Sequence, residues 1–154
     1  MSVDKNVTKK VLATLADGRD GYLKGAEKLA ESDSAELAGV FARYGEQRSS
    51  FHHQLETLAV NDGDDGDDFD DDGSVAAMVH RGWMTLKDVL SGPDPSGVLE
   101  AAAGGESHAI GVYEDALSQE ISPALRRVLD EQVMEIRSAE VDIVKMQGAA
   151  HAAR

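Results

Sequence analysis

The sequence lacks several features that would point to particular chemistry. None of its 154 residues is cysteine, which excludes disulfide bonds, thiolate metal sites and a cysteine nucleophile. It has 15 lysines and arginines against 29 aspartates and glutamates, so its formal net charge is −14. Because nucleic acids and anionic membranes repel such a chain, neither is expected as a main partner.

Long apolar segments are also missing. No run of about 18 apolar residues occurs, so no membrane-spanning helix is expected. The N-terminal residues MSVDKNVTKK do not have the apolar core of a secretory signal. A chain without cysteine fits a reducing compartment. Together these observations predict a cytoplasmic protein.

Much of the negative charge lies in one short segment. Residues 61–73 read NDGDDGDDFDDDG and hold eight aspartates, between Asp62 and Asp72. Like charges keep such a segment open, which predicts a solvated acidic loop. Part of it matches the first half of a calcium loop, but Val79 stands where a bidentate glutamate is needed. A specific calcium site, weak binding of divalent cations and adaptation to high salt remain alternatives.

The rest of the sequence has the spacing of amphipathic helices. Apolar residues recur at i, i+3 and i+4, without a convincing strand pattern. This spacing predicts four long helices over residues 4–31, 35–60, 96–118 and 123–148. It also predicts a shorter helix over residues 74–90. Residues 1–154 are expected to form one domain, with residues 149–154 as a frayed tail.

The lengths of the three connections between the long helices predict how the chain is threaded. The first and last connections are short, whereas the second spans residues 61–95 and contains its own helix. Short, long, short is the pattern of a ferritin-like bundle with one long crossover. We therefore predict an all-α, ferritin-like four-helix bundle with an extra short helix in the crossover. Trp83 of that helix would cover one side of the bundle or form a contact in a homo-oligomer, for which a dimer is favoured.

Three polar residues interrupt the apolar stripes near the middle of their helices. These residues are Arg48, Glu106 and Gln132, and Gly18 has the matching place on the first helix. In an antiparallel bundle all four should meet at one level. Because a buried charge is costly unless it is paired, we interpret Arg48 and Glu106 as an ion pair. Gln132 would complete the hydrogen bonds of this ion pair, and Gly18 would leave space for its side chains.

The alternative interpretation of these inward polar residues is a metal site at the centre of the bundle. Dinuclear carboxylate bundles use a glutamate from two helices and Glu-x-x-His from the other two, and this sequence has no Glu-x-x-His. The most plausible ligands would be Glu106, Glu135 and Glu140, whose hard oxygens suit iron or manganese. Arg48 would bring a permanent positive charge to the place of the cations, which favours the ion pair.

Several blocks of the sequence resemble a known family. They occur in the same order in a bacterial family of ferritin-like four-helix-bundle proteins of unknown function, and the match covers about residues 5–146. The resemblance implies a ferritin-like fold and a non-secreted protein that is loosely associated with stress conditions. It implies no established activity. The blocks are residues 17–22 (DGRDGY), 47–51 (QRSSF), 80–84 (HRGWM), 105–106 (GE) with 113–117 (YEDAL), and the helix that contains Gln132.

The favoured functional hypothesis is a bundle that acts by binding or assembly, in association with stress, and has no catalytic residue. The alternative is a carboxylate-based protein that binds iron or manganese, or a ferroxidase, with Glu106, Glu135 and Glu140 as ligands. The family that the sequence resembles often has a histidine at the position of Glu140. This chain therefore lacks a metal-binding histidine that the family would supply there. A third hypothesis makes the acidic segment between Asp62 and Asp72 the working part, either as a cation sink or as a docking site for a basic partner.

Overall fold

The computed structural model of the protein describes residues 2–61 and 95–152, which fold into four helices. The helices are α1 (Val3–Glu31), α2 (Ala35–Asn61), α3 (Pro95–Leu117) and α4 (Pro123–Ala152). No strand occurs within these two ranges, so the predicted all-helical fold is confirmed. None of the described helices combines the length and the apolar character that crossing a membrane requires.

The predicted helix ends agree with the observed ones to within one residue, except at the end of α4. This helix continues past Gly148 to Ala152, whereas the spacing of the apolar residues predicted an end at residue 148. Alanines at positions 149, 150 and 152 have a high helix propensity, which explains the extension. The predicted acidic loop, the predicted helix at residues 74–90 and Trp83 lie outside the described residues.

Local hydrogen bonds and backbone geometry determine where the helices begin and end. The Ser2 hydroxyl caps α1 by accepting a hydrogen bond from the Lys5 amide at 3.1 Å. Soon after the last residue of α1, Asp33 has a φ of 60°, in the left-handed region that ends many helices. The Ser122 hydroxyl accepts a hydrogen bond from the Leu125 amide at 3.3 Å and so caps α4.

Two hydrophobic clusters define the directions of the helices. One contains the first half of α1, the second halves of α2 and α3, and the first half of α4. The other contains the opposite ends of the same four helices. Therefore α1 and α4 run in one direction, and α2 and α3 run in the other. The end of α2 and the start of α3 consequently lie at opposite ends of the bundle, in agreement with a long connection between them.

The helices pack in a ring in which α2 and α3 are diagonally opposed. Helix α1 packs against α2 and α3, and α4 packs against α3 and, less extensively, against α2. Close approach of α1 to its neighbours depends on Gly25. A methyl group on Gly25 would lie 2.8 Å from Cδ2 of Phe41 and 3.3 Å from Cγ1 of Val98. This space therefore has no room for a larger residue.

Candidate functional site: a buried polar layer

The centre of the bundle contains an ion pair between the two diagonal helices. Arg48 of α2 is 1% exposed and Glu106 of α3 is 0% exposed. Nη1 of Arg48 donates to Oε1 of Glu106 at 2.6 Å, and Nη2 donates to Oε2 at 2.5 Å. This bidentate arrangement is the strongest form of an arginine–carboxylate contact. Both side chains are long, which allows them to meet across the axis of the bundle.

The guanidinium group of Arg48 is satisfied on every nitrogen. Its Nε donates to Oε1 of Gln47 at 3.2 Å, and Cζ lies 5.4 Å from the ring centroid of Tyr22, a cation–π contact. Burial alone would lower the pKa of Arg48, but the hydrogen bonds and the negative charge of Glu106 raise it above its ordinary value. Arg48 therefore stays positively charged, and each of its three guanidinium nitrogens is hydrogen-bonded to a protein group.

A second set of hydrogen bonds joins α2, α3 and α4 beside the ion pair. The Tyr113 hydroxyl donates to Oε1 of Gln132 at 2.7 Å. Nε2 of Gln132 donates to the carbonyl of Phe51 at 3.2 Å and to Oε1 of Gln54 at 3.0 Å. Because Gln132 is 1% exposed and Tyr113 is 0% exposed, these bonds replace water for both side chains. We call Arg48, Glu106, Gln132, Tyr22 and Tyr113 the polar layer.

The chain has three tyrosines, and all of them lie beside the ion pair. Burial raises the pKa of Tyr22, helped by the negative charge of Glu106, and burial also raises the pKa of Tyr113. Burial and then Asp142 raise the pKa of Tyr44 to about 12. All three hydroxyl groups therefore keep their protons at neutral pH, and those of Tyr113 and Tyr44 donate to Gln132 and Asp142.

No role for these tyrosines was predicted from the sequence, although Tyr22 and Tyr113 belong to the polar layer and Tyr44 lies beside it. A signal was present in their spacing. Tyr22 follows Gly18 by four residues and Tyr44 precedes Arg48 by four, while Tyr113 follows Glu106 by seven. These separations are about one or two helical turns, so each tyrosine shares a helix face with a position of the predicted polar level.

Gly18 faces the polar layer from α1. A methyl group at this position would lie 3.7 Å from both Cγ and Nη1 of Arg48, an ordinary van der Waals distance. Arg48 therefore does not need a glycine opposite it, contrary to the expectation that Gly18 makes room.

The three glutamates of the metal hypothesis are not brought together. Both carboxylate oxygens of Glu106 are bonded to Arg48, whereas Glu135 is exposed on α4 and Glu140 is half-buried. Binding a cation through Glu106 would break a buried ion pair, which is costly. Within residues 2–61 and 95–152, no group of three or more histidines, aspartates and glutamates could hold a metal ion. These residues therefore do not fit an iron or manganese centre.

Removing one hydroxyl group tests the second set of hydrogen bonds. Tyr113→Phe should lower the free energy of unfolding by about 1–2 kcal/mol, because Oε1 of Gln132 loses its buried donor. Tyr44→Phe is the matched control, since its hydroxyl is bonded to Asp142 at 3.2 Å at the surface, and it should cost less than about 0.5 kcal/mol. Urea unfolding measures both. Equal costs would contradict the role given to Tyr113.

Comparison with known proteins places the chain in a family. Residues 5–119 match the family described as domain of unknown function (DUF2383). The matched region runs from α1 to just past the end of α3 and includes Arg48 and Glu106. No curated protein and no solved structure matches the chain. Because the family match covers more than half of its length, the chain belongs to DUF2383, a family of domains of unknown function.

Proposed function

We propose that the protein is a ferritin-like helical bundle that acts by binding or assembly and carries out no chemistry at its centre. The observation that carries this proposal is the buried, bidentate ion pair between Arg48 and Glu106. Carboxylate-bridged di-metal bundles place their ligands on the inward faces of the helices. In this chain, the buried carboxylate on an inward face is neutralised by an arginine instead.

The helix directions support the ferritin-like part of the proposal. Helices α1 and α4 are parallel to each other and antiparallel to α2 and α3. The chain therefore has short connections within each helix pair and one long connection between the pairs, as ferritin-like folds do.

In this proposal the polar layer fixes the alignment of the helices. The bidentate bonds between Arg48 and Glu106 form at one axial position of α2 relative to α3. Sliding one helix by a single turn, about 5.4 Å, would separate the two charges in the core. Buried polar groups can specify register in this way, because every other alignment leaves a charge without its partner.

Metal analysis and oxygen uptake test this proposal against the iron or manganese alternative. The purified protein should contain far less than one iron or manganese per chain. Anaerobic addition of Fe(II), followed by air, should consume oxygen no faster than buffer alone. Two metals per chain with rapid oxygen uptake would overturn the proposal. In that case Glu135→Gln and Glu140→Gln should reduce the uptake, while Glu131→Gln, an exposed carboxylate on the same helix, serves as the control.

A cytoplasmic location and an association with stress are further parts of the proposal, and both derive from the sequence alone. The acidic segment between Asp62 and Asp72 lies outside the described residues, and its binding of divalent cations or of a basic partner stays a prediction. Deleting residues 62–72 should leave the helical bundle folded, because a segment so rich in aspartate cannot bury apolar surface. Loss of cation or partner binding in that variant would assign the binding to the segment.

A further inference from the structure

One face of α4 exposes apolar side chains to solvent. Met134, Val141 and Val144 are 68%, 52% and 54% exposed. Met134 and Val141 are seven residues apart, about two helical turns, so they point in nearly the same direction. Ile143 is nine residues from Met134, about half a turn out of phase, and is fully buried. The exposed apolar stripe therefore lies opposite the side of α4 that faces the core.

Charged residues of opposite sign continue this stripe at its two ends. Asp130 precedes Met134 by four residues, and Lys145 follows Val141 by four, and both are exposed. Along the helix the stripe therefore reads acidic, apolar, apolar, basic. A second copy that runs in the opposite direction presents the same four residues in reverse order. Asp130 then meets Lys145, and Met134 meets Val141.

We propose that this face of α4 binds the same face of a second copy of the chain, with the two helices antiparallel. The two-fold axis would pass between Arg137 and Ser138. In this register Met134 lies opposite Val141 of the second copy, and Asp130 lies opposite Lys145 of the second copy. Each contact occurs twice, as symmetry requires for a self-complementary interface. The proposal deepens and rests on the assembly function proposed above.

The position of Arg137 is compatible with this arrangement. It lies next to the proposed axis, where two arginines of a dimer would come close to each other. Nη2 of Arg137, however, donates to Oε1 of Glu114 at 3.0 Å, which directs the guanidinium group towards α3. Arg137 and Glu114 also line a groove between α3 and α4 at the edge of the stripe. The positive charge is thus held to one side of the proposed contact and is paired there.

The first experiment measures the dimer dissociation constant by analytical ultracentrifugation. The native chain should be a dimer. Met134→Lys should weaken it by at least about 100-fold, because an ammonium group would be buried against Val141 of the second copy. Val60→Lys is the control, since Val60 is 55% exposed but lies on α2, and it should change the constant by less than about three-fold. Circular dichroism of Met134→Lys should show that the helices remain.

The second experiment tests the register with charge reversals. Asp130→Lys or Lys145→Asp alone should weaken the dimer by about ten-fold, because like charges would face each other twice. The double variant Asp130→Lys/Lys145→Asp should restore the native dissociation constant to within about three-fold, because the opposite charges would face each other again. A double variant as weak as the single ones would overturn the register.

The third experiment uses the absence of native cysteine. The double variant Met134→Cys/Val141→Cys should form a covalent dimer under mild oxidation. Either single variant should not, because its two sulfurs would be separated by about 10 Å along the helices. Single variants that cross-link as readily as the double variant would overturn the proposal.

The outcomes separate the interface from the broader proposal. A native dimer that Met134→Lys leaves intact would overturn the α4 interface but leave assembly as a function. A native chain that is monomeric at every concentration would overturn both the α4 interface and self-assembly, and would leave binding of another partner as the proposed function. If Met134→Lys changes only the stability of a monomer, the stripe is covered by the chain itself, and the α4 interface is likewise overturned.

Discussion

Glu106→Gln is expected to lower the free energy of unfolding by about 3–5 kcal/mol, because it leaves a buried arginine without a counter-charge. Arg48 is 1% exposed and donates two of its hydrogen bonds to Glu106. A guanidinium group does not release its proton in a protein, so Arg48 cannot escape the penalty by becoming neutral. The amide of the new glutamine can accept only part of the original hydrogen bonding. Chemical denaturation of both proteins measures the difference.

The reverse change, Arg48→Met, should cost less, about 1–3 kcal/mol, and its cost should depend on pH. A buried carboxylate without its arginine can take up a proton from solvent and become neutral. Protonation is easier in acid, so the cost relative to the native chain should be smaller at about pH 5 than at about pH 8. Glu106→Gln should not share this dependence, because Arg48 stays charged at both values.

The double variant Arg48→Met/Glu106→Leu is the control for these two single changes. It removes both charges and fills the space with apolar atoms, so its stability should equal or exceed that of the native chain. A double variant as unstable as Glu106→Gln would show that the loss comes from packing and not from the unpaired charge. A cost below about 1 kcal/mol for Glu106→Gln would contradict the buried ion pair itself.

Gly25→Ala is expected to destabilise the bundle by about 2–3 kcal/mol, although alanine favours helices over glycine by about 1 kcal/mol. The added methyl group would lie 2.8 and 3.0 Å from two atoms of the Phe41 ring and 3.3 Å from Val98. Phe41 is 0% exposed and lies 5.2 Å from the Tyr22 ring, centroid to centroid, so it has little freedom to move away. Helix α1 would have to shift away from α2, which loosens the core.

Gly111→Ala makes the same chemical change where, apart from its own turn of helix, no atom lies within 4 Å of the new methyl group. It should therefore stabilise the protein by about 0.5–1 kcal/mol through helix propensity alone. Thermal unfolding of the two variants should shift the melting temperature in opposite directions. Shifts of the same sign would mean that the contact between Gly25 and Phe41 does not limit the approach of α1 and α2.

The bundle and the centre of its polar layer could be predicted because both depend on periodicity. A single charged or amide residue at an inward position is conspicuous in an apolar stripe, which is how Arg48, Glu106 and Gln132 are identified. The caps are equally local, since a serine before Pro123 is enough to predict the start of α4. The lengths of the helices and the spacing of their apolar residues thus predict the fold and the inward polar residues.

Other parts of the polar layer could not be read from periodicity. A tyrosine on an apolar stripe is compatible with a plain core position, and the partner of its hydroxyl depends on how neighbouring helices are rotated. The bond between Tyr113 and Gln132 is of this kind. Glu135 shows the opposite error, because its residue type alone suggested a metal ligand. It directly precedes the buried Ile136, and a rotation of about 100° places it on another face of α4.

The ion pair also affects how the two halves of the chain pair with each other during folding. Helices α1 and α2 form one antiparallel hairpin that carries the positive charge, and α3 and α4 form another that carries the negative charge. Two copies of the same hairpin, joined through their apolar faces, would bury two like charges against each other. Pairing of the two different hairpins therefore neutralises both buried charges, whereas pairing of two copies of one hairpin does not. One buried charge on each hairpin thus favours the correct pairing during folding.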